Sequence, residues 1–329
     1  MTDTAARTAA PDDSAPHTAN HGVVLPRFGT SAVLSVEAIP YPQPEDDDVL
    51  VRVHAASVNP VDWKTRDGDF PPVAEEDLPK VLGRDLAGEV IACGPSASAA
   101  LGEGARIYAN IGFDRGAQAQ FVIVKATELA AMPKTLDFVA AASVPLVALT
   151  AWQGLFDHGG LTSGQRVLIH GGAGGVGMLA VQFAKEKGAT VFATAGADDL
   201  DFVRGIGADT VIDYQHERFE EIATDIDVVF DLIDGETRER SWGVLKQGGM
   251  MVSTLSEPDR DKAASLGVRA AEHWLAEPDV AQLGEIAALI DAGKVTTDVG
   301  ATYPLDQAAK AYDCQEKGDV RGKVVITMQ

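Results

Sequence analysis

Eight residues, His170-Gly-Gly-Ala-Gly-Gly-Val-Gly177, hold the spacing with the plainest chemical meaning in this chain. Gly172, Gly174 and Gly177 form a G-x-G-x-x-G pattern, which carries weight only where it joins a strand to a helix. The flanks meet that condition. Before it, Arg166-Val-Leu-Ile169 is a short apolar run of the kind that makes a buried parallel strand. After it, Val176, Leu179, Ala180, Phe183, Ala184 and Lys187 follow helical spacing up to Gly188, and Thr190-Val-Phe-Ala-Thr194 supplies a second strand. In such a βαβ unit Gly172 permits the tight turn. Gly174, with Gly175 and Val176 beside it, lets backbone N–H groups approach a diphosphate, and Gly177 lets helix and strand pack closely. The positive end of the helix dipole favours the anion, so the pattern predicts a dinucleotide site.

The end of the second strand bears on which dinucleotide. NAD sites place a carboxylate there to hold the ribose hydroxyls, whereas this chain has Ala195, Gly196 and Ala197. No acid stands where a 2′-phosphate must go, which favours NADP(H). Asp198, Asp199 and Asp201 follow directly and are expected to face solvent as first-turn acids of the next helix.

The elements that must position this turn fall into two textures. From Gly22 to about Met132 the chain runs in short β-type segments broken by Pro and Gly, among them Val23-Val-Leu25, Ala32-Val-Leu34 and Val49-Leu-Val-Arg-Val-His54. This predicts an all-β module, a partly open barrel. Residues 136–152 are Ala-rich and read as helical. Beyond the first βαβ unit, Thr210-Val-Ile-Asp-Tyr214, Asp227-Val-Val-Phe-Asp-Leu232 and Met250-Met-Val-Ser253 each follow a helical stretch, the pattern of a doubly wound parallel sheet. Ligands bind outside the carboxyl ends of such strands, so Leu232, Ile233, Ser253, Thr254 and Leu255 should face the dinucleotide. Residues 283–293 read as a helix, and Gly322-Lys-Val-Val-Ile326 as a last strand returning to the first module.

Composition excludes several classes. With 49 acidic against 27 basic residues, the net charge of −22 repels nucleic acid and anionic membrane. Two cysteines give neither a disulfide framework nor a four-cysteine zinc lobe. The first residues lack the basic and apolar regions of a secretory leader, and no run of 18 apolar residues occurs. These features predict a cytoplasmic enzyme. Residues 1–21, rich in Ala, Thr, Asp, Ser and Pro, read as a disordered tail.

Several blocks, in order, resemble the zinc-free members of the medium-chain dehydrogenase/reductase superfamily, within the group of NADPH:quinone oxidoreductases and enone (alkenal) reductases. They are Ala55-Ala-Ser-Val-Asn-Pro-Val-Asp-Trp-Lys64, Leu82-Gly-Arg-Asp-Leu-Ala-Gly88, Ala141-Ala-Ser-Val-Pro145, Leu149-Thr-Ala-Trp152 and the glycine turn. Arg204-Gly-Ile-Gly-Ala-Asp-Thr-Val-Ile-Asp-Tyr214, Lys246-Gln-Gly-Gly249 and Arg321-Gly-Lys323 extend the match. The resemblance implies a GroES-like catalytic domain over 22–137, a Rossmann NADPH-binding domain over 138–276 and a segment, 277–329, returning to the catalytic domain. It puts Asn59 and Asp62 near the nicotinamide ribose, Thr150 at the nicotinamide end, Tyr214 on the adenosine phosphate side, and Arg321 or Lys323 towards the cleft. It also implies a homodimer paired through the sheet edge at Gly267-Val-Arg-Ala-Ala271.

Zinc-dependent relatives carry a Cys and a His where this chain has Asn59 and Arg84, neither of which ligates zinc. Chemistry without a metal then means hydride transfer to an acceptor already electrophilic, a quinone or an alkene conjugated to a carbonyl. In alkenal and enone reductases a lysine at the position of Lys64 lies by the active site, where an ammonium can stabilise an enolate. Enoyl-thioester reductases place a proton-donating tyrosine where this chain has Phe70, which disfavours fatty thioesters. The pocket wall is expected from residues 68–76, 110–116 and 255–274. Because the nucleotide signals exceed the catalytic ones, the competing reading is a non-catalytic NADPH-binding redox sensor or structural protein of the same fold.

Overall fold

The computed structural model describes residues 19–97, 102–318 and 320–328. Most of the stretch read as a tail, residues 1–18, lies outside the described residues. The first strand, Asn20–Leu25, nevertheless begins inside the predicted tail. Its Asn20 amide donates to the Phe121 carbonyl (2.9 Å) and its side-chain oxygen accepts from the Phe121 N–H (3.0 Å), so a polar residue ends up buried at a sheet crossing.

The first module is built on a seven-stranded sheet whose long central strand, Asp48–Val58, pairs antiparallel with Asp85–Cys93 on one side. Along its other edge the first half pairs with Phe121–Lys125 and the second half with the C-terminal strand Lys323–Thr327. A three-stranded sheet around Asn20–Leu25 lies apart from it. The run Ala32-Val-Leu34, expected to be extended, instead forms a single 3₁₀ turn, Ser31–Val33. Val33 and Leu34 donate back to Thr30 and Ser31, and the Ser31 hydroxyl donates to Asp313, so local bonds displace a ladder. Strand structure resumes at Ser35–Ile39.

The helical stretch 136–152 divides into Phe138–Ala142 and Pro145–Trp152. Pro145 cannot donate to a preceding turn but suits the first position of a new one. Beyond it lies a six-stranded, wholly parallel sheet in the order Thr210–Asp213, Thr190–Ala195, Arg166–Ile169, Ile226–Asp231, Leu245–Ser253, Arg269–Ala270. The order reverses beside Arg166–Ile169, which puts the glycine turn at the switch point where open α/β sheets bind ligands. Arg269–Ala270, within the segment proposed for pairing of two chains, is the edge strand.

The modules share one apolar core. Ala55, Ala87 and Tyr108 of the β module pack in a cluster with Leu149, Leu179 and Ile286 from helices flanking the parallel sheet. Within that cluster the helix Val280–Asp291 contributes Leu283, Ile286 and Ile290. The buried Tyr108 hydroxyl donates to the Leu283 carbonyl.

His170, at the end of the first strand of the parallel sheet, is fully buried. Ser241 Oγ donates to the Thr237 carbonyl and therefore accepts from His170 Nε2 (2.8 Å), while Thr194 Oγ1 donates to Nδ1 (3.2 Å) and accepts from the Gly171 N–H. A neutral imidazole completes this chain, and burial, with Arg240 nearby, pushes its pKa down to about 3. An unfolded His170 takes up a proton below its ordinary value near 6.5, whereas the folded one does so only near 3, so this contribution is lost as pH falls between those values. The difference in unfolding free energy between wild type and His170→Gln should therefore shrink by on the order of 3 kcal/mol between pH 6.5 and 3, measured by urea denaturation. A pH-independent difference would contradict the neutral, buried imidazole.

Candidate functional site

The glycine turn divides its labour differently from the sequence expectation. Gly171, at φ +75°, makes the left-handed turn off the strand, whereas Gly172 does not have a positive φ. Gly172 is small for packing, since a Cβ there would lie 3.0 Å from Ala193 Cβ and 3.2 Å from Val203 Cγ1. Gly177 is more constrained: its Cβ would meet the Gly171 carbonyl oxygen at 2.0 Å, so the helix Gly175–Glu186 packs backbone against backbone. Gly174 is the opposite case. Its backbone (φ −72°, ψ 166°) suits any residue, and a Cβ would touch only the Gly171 oxygen, at 3.4 Å. Nothing within the protein demands a glycine there. A diphosphate drawn up to the first-turn N–H groups does demand one, and in this respect the residues present fit a dinucleotide.

At the end of the neighbouring strand, Ala195 is the last residue and Gly196 follows in extended conformation. The Tyr214 side chain stands beside Gly196, 3.7 Å from its ideal Cβ position, and is 62% exposed. Arg321 belongs to this end and does not line the cleft towards which it was expected to point. Its guanidinium stacks on Phe202 (4.3 Å), donates to Asp298 (2.8 Å) and lies 3.6 Å from Asp199. Asp199 is thus turned to a cation instead of to solvent, whereas Asp198 and Asp201 are exposed as expected, Asp201 in a surface pair with Arg204.

A cleft of about 480 Å³ begins beside this turn, with Val176 in its lining. It brings together Asn59, Lys64, Thr150, Val176, Thr254 and Leu255 from the sequence-derived set. Its wall includes residues 69–72, Phe113 and residues 273–276. Phe70 and Phe113 pack at 4.9 Å, giving the wall an aromatic face. Lys64 is half-buried on the helix Pro60–Asp67, its ammonium 5.8 Å from the Trp63 ring. Among the described residues no hydrogen bond or ion pair holds that ammonium. The Thr150 hydroxyl donates to the Leu146 carbonyl (2.7 Å), leaving its oxygen lone pairs as acceptors.

Beneath Asn59 lies a buried polar network. Asp85, with no exposure, accepts from Ser57 Oγ (2.9 Å), Asn59 Nδ2 (2.9 Å), Asn110 Nδ2 (3.1 Å) and the Leu146 backbone N–H (2.8 Å). Asp62 does not reach the cleft; its carboxyl accepts from the Asn59 N–H (2.7 Å) and closes the helix start as a capping box. Lys323 is likewise buried and absent from the cleft lining, its ammonium donating to the Val58 carbonyl and to Asn59 Oδ1. Burial pushes the Asp62 carboxyl up and the Lys323 ammonium down, each towards its neutral form. The Asn59 side chain is therefore fixed at both ends, amide nitrogen to a carboxylate and amide oxygen to an ammonium.

The residues at the carboxyl ends of the strands divide. Thr254 and Leu255 line the cleft. Ile233 is half exposed above Gly171, and Leu232 packs against the core. Ser253 is buried with its hydroxyl turned away onto Asp231 (3.0 Å). Asp231 itself was not singled out, yet its buried carboxylate also accepts from the N–H groups of Ile233 and Asp234, shaping that loop. The signal was an acid closing the apolar run Val228-Val-Phe230. Trp274 closes the segment expected to form the pocket wall: its indole donates to the Ser253 carbonyl (3.1 Å) and stacks on His158, fixing one wall of the cleft.

Among the described residues no group of three or more His, Cys, Asp or Glu side chains is arranged to hold a metal ion. The models for an alcohol dehydrogenase GroES-like domain and for a zinc-binding dehydrogenase match residues 45–134 and 206–326. The chain is 35% identical to an NADPH-dependent alkenal/one oxidoreductase, chloroplastic, of Arabidopsis thaliana, over 91% of this chain and 77% of that protein. It is 33% identical to a probable zinc-binding oxidoreductase, mitochondrial, of Arthroderma benhamiae, over 90% and 93%. The solved quinone oxidoreductase from Coxiella burnetii superposes with a TM-score of 0.86 at 32% identity, covering 94% of this chain and all of that one. The expected cytoplasmic location is overturned by the first two of these, which are named chloroplastic and mitochondrial; low cysteine content does not separate those compartments from the cytoplasm. With a GroES-like β module, a parallel-sheet dinucleotide fold and an amide and a guanidinium where zinc ligands stand in metal-dependent relatives, the chain is a zinc-independent member of the medium-chain dehydrogenase/reductase superfamily, related to the quinone and alkenal/one reductases.

Proposed function

We propose that this protein reduces quinones or α,β-unsaturated carbonyl compounds with NADPH as the hydride donor. The observation that carries the reading is the Lys64 ammonium, unpaired among the described residues, on the wall of an apolar cleft that runs up to the glycine turn. Gly174, Gly175, Val176 and Gly177 would hold the diphosphate at the helix N-terminus, with Ala195, Gly196, Tyr214 and Arg321 around the adenosine end. The lack of a carboxylate at Ala195, together with Arg321 at the same end, favours a 2′-phosphate and hence NADPH over NADH. When bound, the nicotinamide supplies a hydride.

Asn59, locked between Asp85 and Lys323, offers a fixed polar edge to the nicotinamide ribose, and Thr150 an acceptor at the nicotinamide end. The aromatic wall of Phe70, Phe113 and Trp274 suits a flat acceptor and keeps water from its faces. As negative charge develops on the substrate oxygen, the Lys64 ammonium is the mobile cation that can meet it. Phe70 carries no proton, which leaves solvent to protonate the product. Both the alkenal/one reductase and the quinone oxidoreductase among the relatives support this class of acceptor.

Oxidation of NADPH, with NADH alongside, over a benzoquinone, a naphthoquinone, a short enal and a cyclic enone tests the reading. Turnover with NADPH preferred is expected, and binding of NADPH without turnover of any acceptor would return the non-catalytic reading. Lys64→Ala should lower enone kcat by about tenfold or more with NADPH affinity unchanged; kinetics equal to wild type would remove Lys64 from the mechanism. Two glycine variants separate cradle from scaffold. Gly174→Val should keep the wild-type unfolding midpoint and lose NADPH binding, whereas Gly177→Ala should cost about 2–4 kcal/mol of stability through its backbone clash. Tight NADPH binding by Gly174→Val would refute the proposed cradle.

A further inference from the structure

Arg84 is the cation in this cleft that the reading above leaves without a task. It precedes the strand Asp85–Cys93, is 4% exposed and lines the cleft together with Phe113. Its Nε donates to the Ile111 carbonyl, one Nη donates to Asn110 Oδ1 (3.4 Å), and its plane lies on the Phe113 ring with Cζ 3.5 Å from the centroid. The guanidinium is thereby clamped along one edge and one face. No carboxylate among the described residues lies within ion-pair distance of it. The four carboxylates whose charge reaches it are committed elsewhere: Asp85 to four donors, Asp62 to the Asn59 N–H, Glu128 to Arg115 and two backbone N–H groups, and Asp114 to Arg115.

A buried cation without a paired anion is costly, and proteins otherwise neutralise or pair such groups. Burial lowers the Arg84 pKa, but a guanidinium starts so far above neutrality that it stays charged where a lysine would not. An immobile positive charge facing an apolar cavity is the arrangement that stabilises an anion formed there, because the charge needs no reorganisation when the anion appears.

We infer that Arg84 is a catalytic residue of this cleft, binding the oxyanion that forms on the acceptor. The inference rests on the reductase reading. For an enone, the β-carbon gains a hydride and forms a C–H bond, and the C=C π pair moves to make the α-carbon–carbonyl double bond. The carbonyl π pair then resides on oxygen as an enolate, which takes one proton from solvent at the α-carbon. The acceptor is reduced by two electrons and NADPH is oxidised to NADP⁺. Arg84 holds the charged oxygen in a fixed place, while Lys64, on a flexible stem, closes on it from the half-exposed side.

The test uses 4-nitrophenol, whose phenolate is coloured, as a stable mimic of that oxyanion, bound to the full chain with NADP⁺. In wild type the bound phenol should ionise at a pH lower than the free phenol by about one unit or more. In Arg84→Met that shift should vanish while NADPH binding is kept, and in Lys64→Met the larger part should remain. Enone kcat/KM should fall about a hundredfold in Arg84→Met. If that variant fails to fold, Arg84→Gln, which keeps a donor for the Ile111 carbonyl and loses the charge, must show the same loss. Turnover by wild type with no shift of the phenol, or an equal shift in wild type and both Arg84 variants, would overturn the role of Arg84. A shift that depends on Arg84 in a protein that reduces none of the acceptors would uphold the anion site and refute the reductase reading instead.

Discussion

Much of this molecule depends on one buried carboxylate. Asp85 gathers Ser57 and Asn59 from the central strand and the residue beyond it, Asn110 from the next strand, and the backbone N–H of Leu146 from the first turn of Pro145–Trp152. Three strands of the β module and a helix flanking the parallel sheet therefore meet at one anion. The energetics explain why it can be there: four donors satisfy its lone pairs, and the N-terminus of a helix contributes partial positive charge. Removing any single donor would leave part of a charge buried and unsatisfied, so the site is held by mutual necessity more than by any one strong bond.

The position of the cleft follows from this. Asn59 is aimed by Asp85 on one side and Lys323 on the other, and the backbone around Gly174 forms a bridge with Gly322 on the same returning segment. The cleft is thus bounded by parts of both modules that are tied together below it. Its two cations differ in kind. Lys64 is mobile and half-exposed, whereas Arg84 is clamped and buried, and such a pair can receive a substrate and stabilise a charge without one group doing both.

Much of this was legible in the sequence, for physical reasons. The glycine turn was readable because a strand and a helix flank it and packing at Gly177 allows no other residue, and the strands because wholly buried parallel strands are continuous apolar runs. The 3₁₀ turn Ser31–Val33 was not, since its sequence suits a strand and only a hydroxyl bond to distant Asp313 settles the matter. Lys323 and Ser253 were named for the right neighbourhood and the wrong direction. Chain position says which strand end a side chain occupies, but not whether a buried acceptor such as Asp231 or the Val58 carbonyl claims it first. Arg84 appeared only as a missing metal ligand, because no local pattern reveals that a charge lacks a partner.

The long central strand also sets the order in which the protein can be completed. Along the edge away from Asp85–Cys93, the second half of Asp48–Val58 pairs with Lys323–Thr327, and Lys323 meets Val58 across 265 residues of chain. At ribosomal speeds of about 5–20 residues per second, that edge stays unpaired for roughly 13–53 s after it is made. Throughout that time the parallel-sheet module can fold behind it, while an open apolar strand edge stands ready to pair with the wrong chain. The strand Lys323–Thr327 closes the edge and seats Asn59 in the same event, so for this protein the end of exposure to aggregation and the assembly of the cleft coincide.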